Sequence, residues 1–597
     1  MKTDFLPTTK AEMADRGWDE LDVLLITGDA YVDHPSFGAA VIGRVLEAEG
    51  CRVGIVAQPD WKTIDDFRRL GRPRLFVGIT SGNVDSLVAN YTANKRHRSS
   101  DDYSPGGEAG RRPDRAVIVY SNRVREAFGK IPIVIGGIEA SLRRLAHYDY
   151  WDDRVRRSIL LDSRADVLVY GMGETPIREI ARRLKAGETA DSLDAIRGTA
   201  VVRDDASSLP ESVVAPSAEE AAESPEAFNR AFALFAREQD PFRGRPVVQP
   251  HANRVVIQYP PPLPPSEEVL DRIYELPYAR AGHPSYDGQK GVAALETVRW
   301  SIVSHRGCCG ECSFCSLSFH QGRIVQSRSP ASILREAETI SRETGFKGTI
   351  TDVGGPTANL FRSSCGRWAQ KGTCDHRSCL TPQPCPNLRL GYREAIDLYG
   401  RIGKLPGLKH VFIGSGFRCD LFEGREGEEY LREICHSHIS GLMKVAPEHS
   451  EDGVLRLMNK PAFTVYESFR NKFEEINRGR KGRAYLVHYF LSAHPGSSLR
   501  EALGLALNLE KWGIHPEQVQ DFIPLPMTLS SCLYHTGVQP FTGEKVHVPR
   551  SFQERKMQRA LIQHKNPRNR PLVEKALAEL KAGHLLNRLQ PGSPAGE

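Results

Sequence analysis

The stretch Ser304–Arg323, SHRGCCGECSFCSLSFHQGR, places four cysteines within eight residues, and three of them, Cys308, Cys312 and Cys315, are spaced x3 and x2. Thiolates are soft ligands suited to iron–sulfur clusters. Three on one tight loop can ligate three irons of a [4Fe–4S] cubane, leaving the fourth open to an outside ligand. A structural zinc site normally shows a fourth Cys or His close by, or a second paired knuckle; His305 and His320 stand nearest to that role. A ferredoxin run begun at Cys309 needs its next cysteine where Phe319 stands.

Outward from the loop, short apolar runs alternate with helix-compatible segments: TVRWSIVS, KGTITDVGG, LKHVFIGSG, GLMKVAPEH, AYLVHYFLSAHPG and VQDFIPLP. Six such units within residues 294–550 predict a partial (β/α) barrel. Upstream, residues 1–203 carry DVLLIT, VGIVAQ, RLFVGIT, RAVIVYS, IPIVIGG and DVLVYGMGE. These near-continuous apolar runs suit strands covered on both faces. They predict an α/β, doubly wound, Rossmann-like N-terminal domain. The polar stretch 92–112 reads as an exposed insertion. The pairs Asp101-Asp102 and Arg143-Arg144 read as solvated faces. The acidic, Pro/Ser-rich stretch 204–227 reads as a linker, within a connecting segment 204–293. Residues 551–597 form a short basic helical tail, with the cationic run beginning at Arg550.

Net charge is +6 over 597 residues, which does not by itself point to nucleic acid. Arg568, Arg570 and their neighbours suit phosphate contacts, but no aromatic stacking pattern accompanies them, so nucleic acid is not the favoured partner. No signal sequence opens the chain and no apolar run reaches membrane-spanning length, which predicts a cytoplasmic protein without a membrane partner. Eight of the twelve cysteines lie between Cys308 and Cys385, and clustering of this kind in a reducing compartment favours metal or redox chemistry over disulfides.

The CxxxCxxC spacing, with aromatic Phe314 before the last cysteine, resembles the signature of the radical S-adenosylmethionine (SAM) superfamily. The resemblance implies that the three cysteines hold a [4Fe–4S] cluster, that SAM chelates the open iron, and that Phe314 packs near its adenine. DVGGPTAN resembles the Gly-rich end of the second barrel strand, which places Gly354 and Gly355 at the SAM amino group. Pro356 and Thr357 stand where an acidic residue often follows the two glycines. FIGSG and KVAPEH place Gly416 and Lys444 at ribose and carboxylate contacts, and DFIPLP resembles the strand lining the adenine. Over nearly its whole length, through GGIEASLRR, GMGE and SHRGCCGECSFC, the chain resembles the YgiQ-type radical SAM proteins. That group implies a radical SAM enzyme with a reductant such as flavodoxin or ferredoxin; it names no substrate. Two alternatives stay open: an iron–sulfur protein for electron transfer or binding without SAM turnover, and an RNA-modifying or cobalamin-dependent radical SAM enzyme. Methylthiotransferases carry a second cysteine triad near the N-terminus, where Cys51 stands alone.

A second group, Cys365, Cys374, Cys379 and Cys385, lies in SCGRWAQKGTCDHRSCLTPQPC with spacings x8, x4 and x5. It suits a second iron–sulfur cluster or zinc, an unliganded reduced loop, or a redox disulfide. VIGGIEAS and ADVLVYGMGE resemble parts of cobalamin-binding domains, but the DxHxxG histidine motif is absent, since Asp33 and His34 are adjacent in VDHPSFG. A Rossmann-like domain for substrate or protein contact is the favoured reading, and cobalamin binding is the alternative. Glu448, His449 and His494 sit at expected strand ends, where barrel active sites form.

Overall fold

The computed structural model describes residues 5–590 apart from 208, 210, 481, 517 and 518. Five parallel strands lie at the centre of the N-terminal sheet: β1 (Val23–Thr27), β2 (Val53–Ala57), β3 (Phe76–Thr80), β4 (Ile133–Gly136) and β5 (Val167–Val169). Their order across the sheet is β5-β4-β3-β1-β2. Every residue of β1 is buried. Val23 and Leu25 join one core with Val41 and Val45 of helix α1 (Gly38–Ala48). Leu24 and Ile26 join the opposite core with Val117 and Tyr120 of helix α2 (Ala116–Phe128). Burial on both faces is why these strands read as continuous apolar runs. The chain leaves β1 toward β2 and then crosses back to β3, so the switch point, where such sheets bind ligands, lies between β1 and β3.

Four expectations are corrected. RAVIVYS is not a strand: Arg115 sits in the left-handed region at φ 52, and α2 begins at Ala116. The helix start is satisfied by Ser86 Oγ on the Ala116 N–H and by the buried Glu139 carboxylate on the Val117 N–H. The stretch 92–112 is not wholly exposed, because Asp101, Ser104 and Arg112 are buried. Arg112 bridges Asp101 at 3.0 Å and Asp29 at 2.9 Å. Asp102 is exposed, but Arg143 and Arg144 are not on a solvated face. Arg143 pairs with Asp85, while Arg144 stacks on Tyr170 at 4.6 Å and donates to Gln258.

The fourth concerns the stretch read as a linker. The sheet continues beyond residue 203 through β6 (Thr199–Arg203), β7 (Val213–Val214), β8 (Val247–His251) and β9 (Arg254–Gln258), in the order β7-β8-β9-β6-β5. Helices α3 (Ala218–Glu223) and α4 (Pro225–Arg237) follow β7. The capping box of Ser217 and Glu220 starts α3. Helix α4 puts Ala231 and Phe235 into a sheet core and Phe228 and Phe232 into the barrel core. Burial of each phenylalanine is worth roughly 2–3 kcal/mol, so this acidic segment fastens the two halves together. Its charged residues mask an apolar stripe at helical spacing.

All six predicted barrel units form. β10 (Ser301–Val303) pairs in parallel with β12 (Asp352–Gly354), and β11 (Thr349–Ile350) with β13 (His410–Val411). β14 (Leu442–Glu448), β15 (Tyr485–Ser492) and β16 (Gln520–Asp521) continue in parallel. A bridge from Phe417 to Val445 and the Ile413 N–H to the His438 carbonyl join the two halves of the arc. The tail is helical: α6 (Phe552–Ile562) and α7 (Arg570–Glu579) pack on α5 (Leu499–Trp512) through Leu503, Ala506, Leu561 and Leu577. Two of its cations serve the core, Arg555 donating to the Phe522 carbonyl and Arg559 pairing with Asp521 at 2.8 Å. No helix among the described residues is long and apolar enough to cross a membrane.

Candidate active site

The cysteine loop leaves the C-terminal end of β10 and is pinned from several sides. Cys308 N–H donates to the Gly322 carbonyl, and Cys315 N–H to the Cys312 carbonyl. Asn459 donates to the Glu311 carbonyl at 2.9 Å, and Ser313 Oγ meets Ser530 Oγ at 2.8 Å. Cys308, Cys312 and Cys315 are half-buried, whereas Cys309 is fully buried against Ile324, Leu360 and Leu380. Cys309 is therefore the most buried thiol of the loop. Burial pushes the Cys308 thiol up and the Cys315 thiol up to about 12. Thiols in such a site need a metal or a cation to be held as thiolates.

A cation that sequence reading missed stands beside them. Arg418 is buried, with Nη1 3.5 Å from Cys312 Sγ. Its Nε and Nη2 donate to Asp420 at 3.0 and 2.6 Å, and its backbone exchanges hydrogen bonds with the Asn359 side chain. Gly310 makes room, since a Cβ there would lie 2.5 Å from Arg418 Nη1. Thr357 Oγ1 lies 3.6 Å from Cys308 Sγ.

The other expected residues take these places. Gly354 ends β12, and a Cβ on Gly355 would sit 2.6 Å from the His305 ring. Asp352 accepts the Gly414 and Ser415 N–H groups and the Ser415 hydroxyl, which fixes the GSG turn. Burial nonetheless raises the Asp352 carboxyl. Gly416 is open on its Cβ side, and its carbonyl accepts from Ala358 N–H. Lys444 is exposed, and its charge reaches Asp352. Phe314 meets His494 edge-on at 6.1 Å, and His494 meets Phe522 of DFIPLP at 5.1 Å. Phe314 and Phe522, expected around one adenine, thus flank a common ring.

Glu448 takes a left-handed φ of 66 at the end of β14. Desolvation pushes its half-buried carboxyl up against the pull of Lys460 and Arg418, and its charge also raises Cys315. His449 and His494 are buried. His449 accepts the Glu451 N–H and is held down to about 4 by burial. His494 meets Ser530 Oγ at 2.6 Å and is held down to about 3 by burial.

One cavity of about 670 Å³ joins the two halves. Its sheet side is the C-terminal edge at the switch point, with Ile79, Thr80, Gly136 and Gly137, and α1 contributes Ala39 and Ile42. Its barrel side holds Val303, His305, Asp352, Gly354, Gly355 and Ser415, with Leu317 and His320 just after the cysteine loop. The cation in its wall, Arg306, is neutralised by Glu174 at 2.5 Å and donates to the Tyr274 hydroxyl at 2.7 Å. Two strand ends, from a doubly wound sheet and from a partial barrel, therefore face one another across a single chamber that is also lined by Arg306 and Ser316, on either side of the cysteine triad in sequence.

A partial barrel carrying CxxxCxxC after its first strand, behind a doubly wound domain, defines a radical SAM protein. The comparisons agree: a family model described as "Radical SAM N-terminal" matches residues 5–301, and one described as a domain of unknown function (DUF3362) matches residues 517–586. A UPF0313 protein of Clostridium botulinum is 50% identical over 574 residues, covering 96% of this chain and 90% of that protein. A UPF0313 protein of Methanocella arvoryzae is 51% identical over 569 residues, covering 95% and 94%. The chain belongs to the UPF0313 family. Among solved structures, the apo form of OxsB, a cobalamin-dependent S-adenosylmethionine radical enzyme, has TM-score 0.50 at 10% identity, covering 96% of this chain and 73% of that one. The radical SAM methyltransferase TsrM from Kitasatospora setae, with cobalamin and a [4Fe-4S] cluster bound, has TM-score 0.49 at 15% identity, covering 86% and 75%.

Proposed function

We propose that this protein is a radical SAM enzyme whose substrate enters the chamber between the sheet edge and the barrel. The observation that carries the reading is the pinned loop on which Cys308, Cys312 and Cys315 are half-buried and Cys309 is buried, with its Ser316–Leu317 end lining the chamber. The donor set fits a cubane with one free iron: three soft thiolates, with Arg418 offsetting their negative charge. When bound, the cluster supplies the single electron that splits SAM into methionine and a 5′-deoxyadenosyl radical, which then abstracts hydrogen from the substrate. The chain's own residues bind and orient: Gly354 and Gly355 let the backbone approach, Lys444 offers a charge to a carboxylate, and Phe314 offers a face to adenine. A flavodoxin- or ferredoxin-class reductant supplies the electron in a reducing cytoplasm. Electron paramagnetic resonance of the reduced, reconstituted protein tests this reading. SAM is expected to change the cluster signal; an unchanged signal at saturating SAM leaves only an electron-transfer or binding protein.

The position of the cavity at the switch point favours a second reading, in which the sheet edge also holds a corrinoid. The fit is partial. His34, the histidine nearest in sequence to the absent DxHxxG motif, is buried, and its Nδ1 accepts the Ser36 N–H at 3.1 Å. A corrinoid there would lack an imidazole from that loop, while Ala39, Ile42, Val84 and Ile138 would supply apolar contact. Titration with hydroxocobalamin, followed by absorbance, decides it: a stoichiometric spectral change that Ala39→Trp abolishes supports the site, and no change rejects it.

A further inference from the structure

Residues 364–389 form a closed excursion. Ser364 and Arg389 exchange both backbone hydrogen bonds at its base, at 2.9 and 2.8 Å. Between them lie Cys365, Cys374, Cys379 and Cys385, all free thiols. The only regular element inside is the single turn Trp368–Lys371. The buried side chains within it are few, with Trp368, Thr373, Cys379 and Leu380 accounting for them apart from Gly372. An irregular segment with so little apolar core normally needs a staple, and metal or disulfide is the usual one.

Three of the thiols lie within electrostatic reach of one another, and the fourth is tied to them through the backbone. Cys385 N–H donates to the Cys379 carbonyl at 2.8 Å. Cys365 and Cys379 pack on the same small core, and the Cys379 thiol feels the charges of Cys374 and Cys365. Outside contacts hold the loop in place. Asp240 accepts the Thr373 N–H and hydroxyl at 2.7 and 2.9 Å, and Arg243 pairs with Asp375. Arg323, paired with Glu311 at 2.7 Å, lies beside Cys379 and reaches the Cys374 carbonyl.

We infer that these four cysteines hold a second iron–sulfur cluster, next to the one at the triad. Cys309 and Cys379 are buried in one core against which Cys308 packs, so the two sites share a wall of Cys309, Leu360 and Leu380. As the side chains stand, no group of three His, Cys, Asp or Glu among the described residues could hold a metal ion, at this loop or at the triad. Iron is preferred to zinc here because the loop shares a wall with the cluster proposed at the triad. The second cluster would accept one electron from the external reductant and pass it to the triad's cluster, returning to its oxidised state.

The inference does not depend on SAM cleavage, and metal counting tests it. In the triple variant Cys308→Ala/Cys312→Ala/Cys315→Ala, purified and reconstituted without oxygen, about four irons and matching sulfide are expected to remain. Adding Cys374→Ser and Cys379→Ser should remove them. If the triple variant does not fold, the double variant alone should lose about half the iron of the unaltered protein and keep the SAM-sensitive signal. Zinc in place of iron in the triple variant, or a double variant with unchanged iron, overturns the second cluster.

Discussion

Replacing Arg418 with methionine should lower the reduction potential of the triad's cluster. The guanidinium Nη1 lies 3.5 Å from Cys312 Sγ, and an electron shared over the cluster sits roughly 6 Å from that charge. At an effective dielectric constant near 20, a unit charge at about 6 Å is worth about 3 kcal/mol. For a one-electron couple this corresponds to about 120 mV. Asp420, held against the far side of the guanidinium at 2.6 Å, cancels part of the effect while the pair is intact. In the single variant Asp420 is left buried and unpaired, at a cost of about 3–5 kcal/mol in stability. The double variant Arg418→Met/Asp420→Asn removes that orphan charge and should shift the potential by only about 40 mV, the difference between two opposed charges at unequal distances. Arg418→Lys keeps the charge but loses the fork that grips Asp420, so its shift should be the smallest. The assay is a redox titration read by electron paramagnetic resonance, with iron counted in each sample. An Arg418→Met variant with full iron content and a potential within about 20 mV of the unaltered protein would refute the assigned role.

Arg306→Met should destabilise the protein by about 3–5 kcal/mol, because it strands Glu174 in the cavity wall; a melting temperature unchanged in calorimetry contradicts this. Gly355→Ala should cost about 1–3 kcal/mol, since the added Cβ meets His305 at 2.6 Å, and SAM affinity measured by equilibrium dialysis should fall with it. The buried imidazoles of His449 and His494 are held down to about 4 and about 3. Their folded values lie below the unfolded value of about 6.5, so the stability they permit is complete above that pH and is lost as the pH falls toward the folded values. Denaturant unfolding from pH 7 to 5 should therefore show decreasing stability, and His494→Gln should remove up to about 1.4 kcal/mol per pH unit from that slope.

The class of fold was legible because both halves rely on strands buried on two faces, whose apolar runs survive in the sequence. RAVIVYS misled for the same reason: a β-branched run also serves a helix when a buried carboxylate such as Glu139, on the short helix Gly137–Leu142, caps it. The buried Arg143, Arg144 and Arg112 were unreadable, since their partners Asp85, Gln258 and Asp29 lie far away in sequence. The segment 204–227 looked disordered by composition, yet α3 and α4 hide their apolar stripe among acidic residues. The triad was local and therefore visible. Arg418 was not, because its contact with Cys312 spans 106 positions. The chamber was foreshadowed only by the glycine pairs at strand ends, which mark where backbone rather than side chain lines a site.

The most direct measurement is 5′-deoxyadenosine formed when the anaerobically reconstituted protein is given dithionite and SAM. The account predicts its formation together with methionine in equal amounts, and its loss in Cys312→Ala with the fold intact. A fully loaded, reducible cluster that yields no 5′-deoxyadenosine would contradict it.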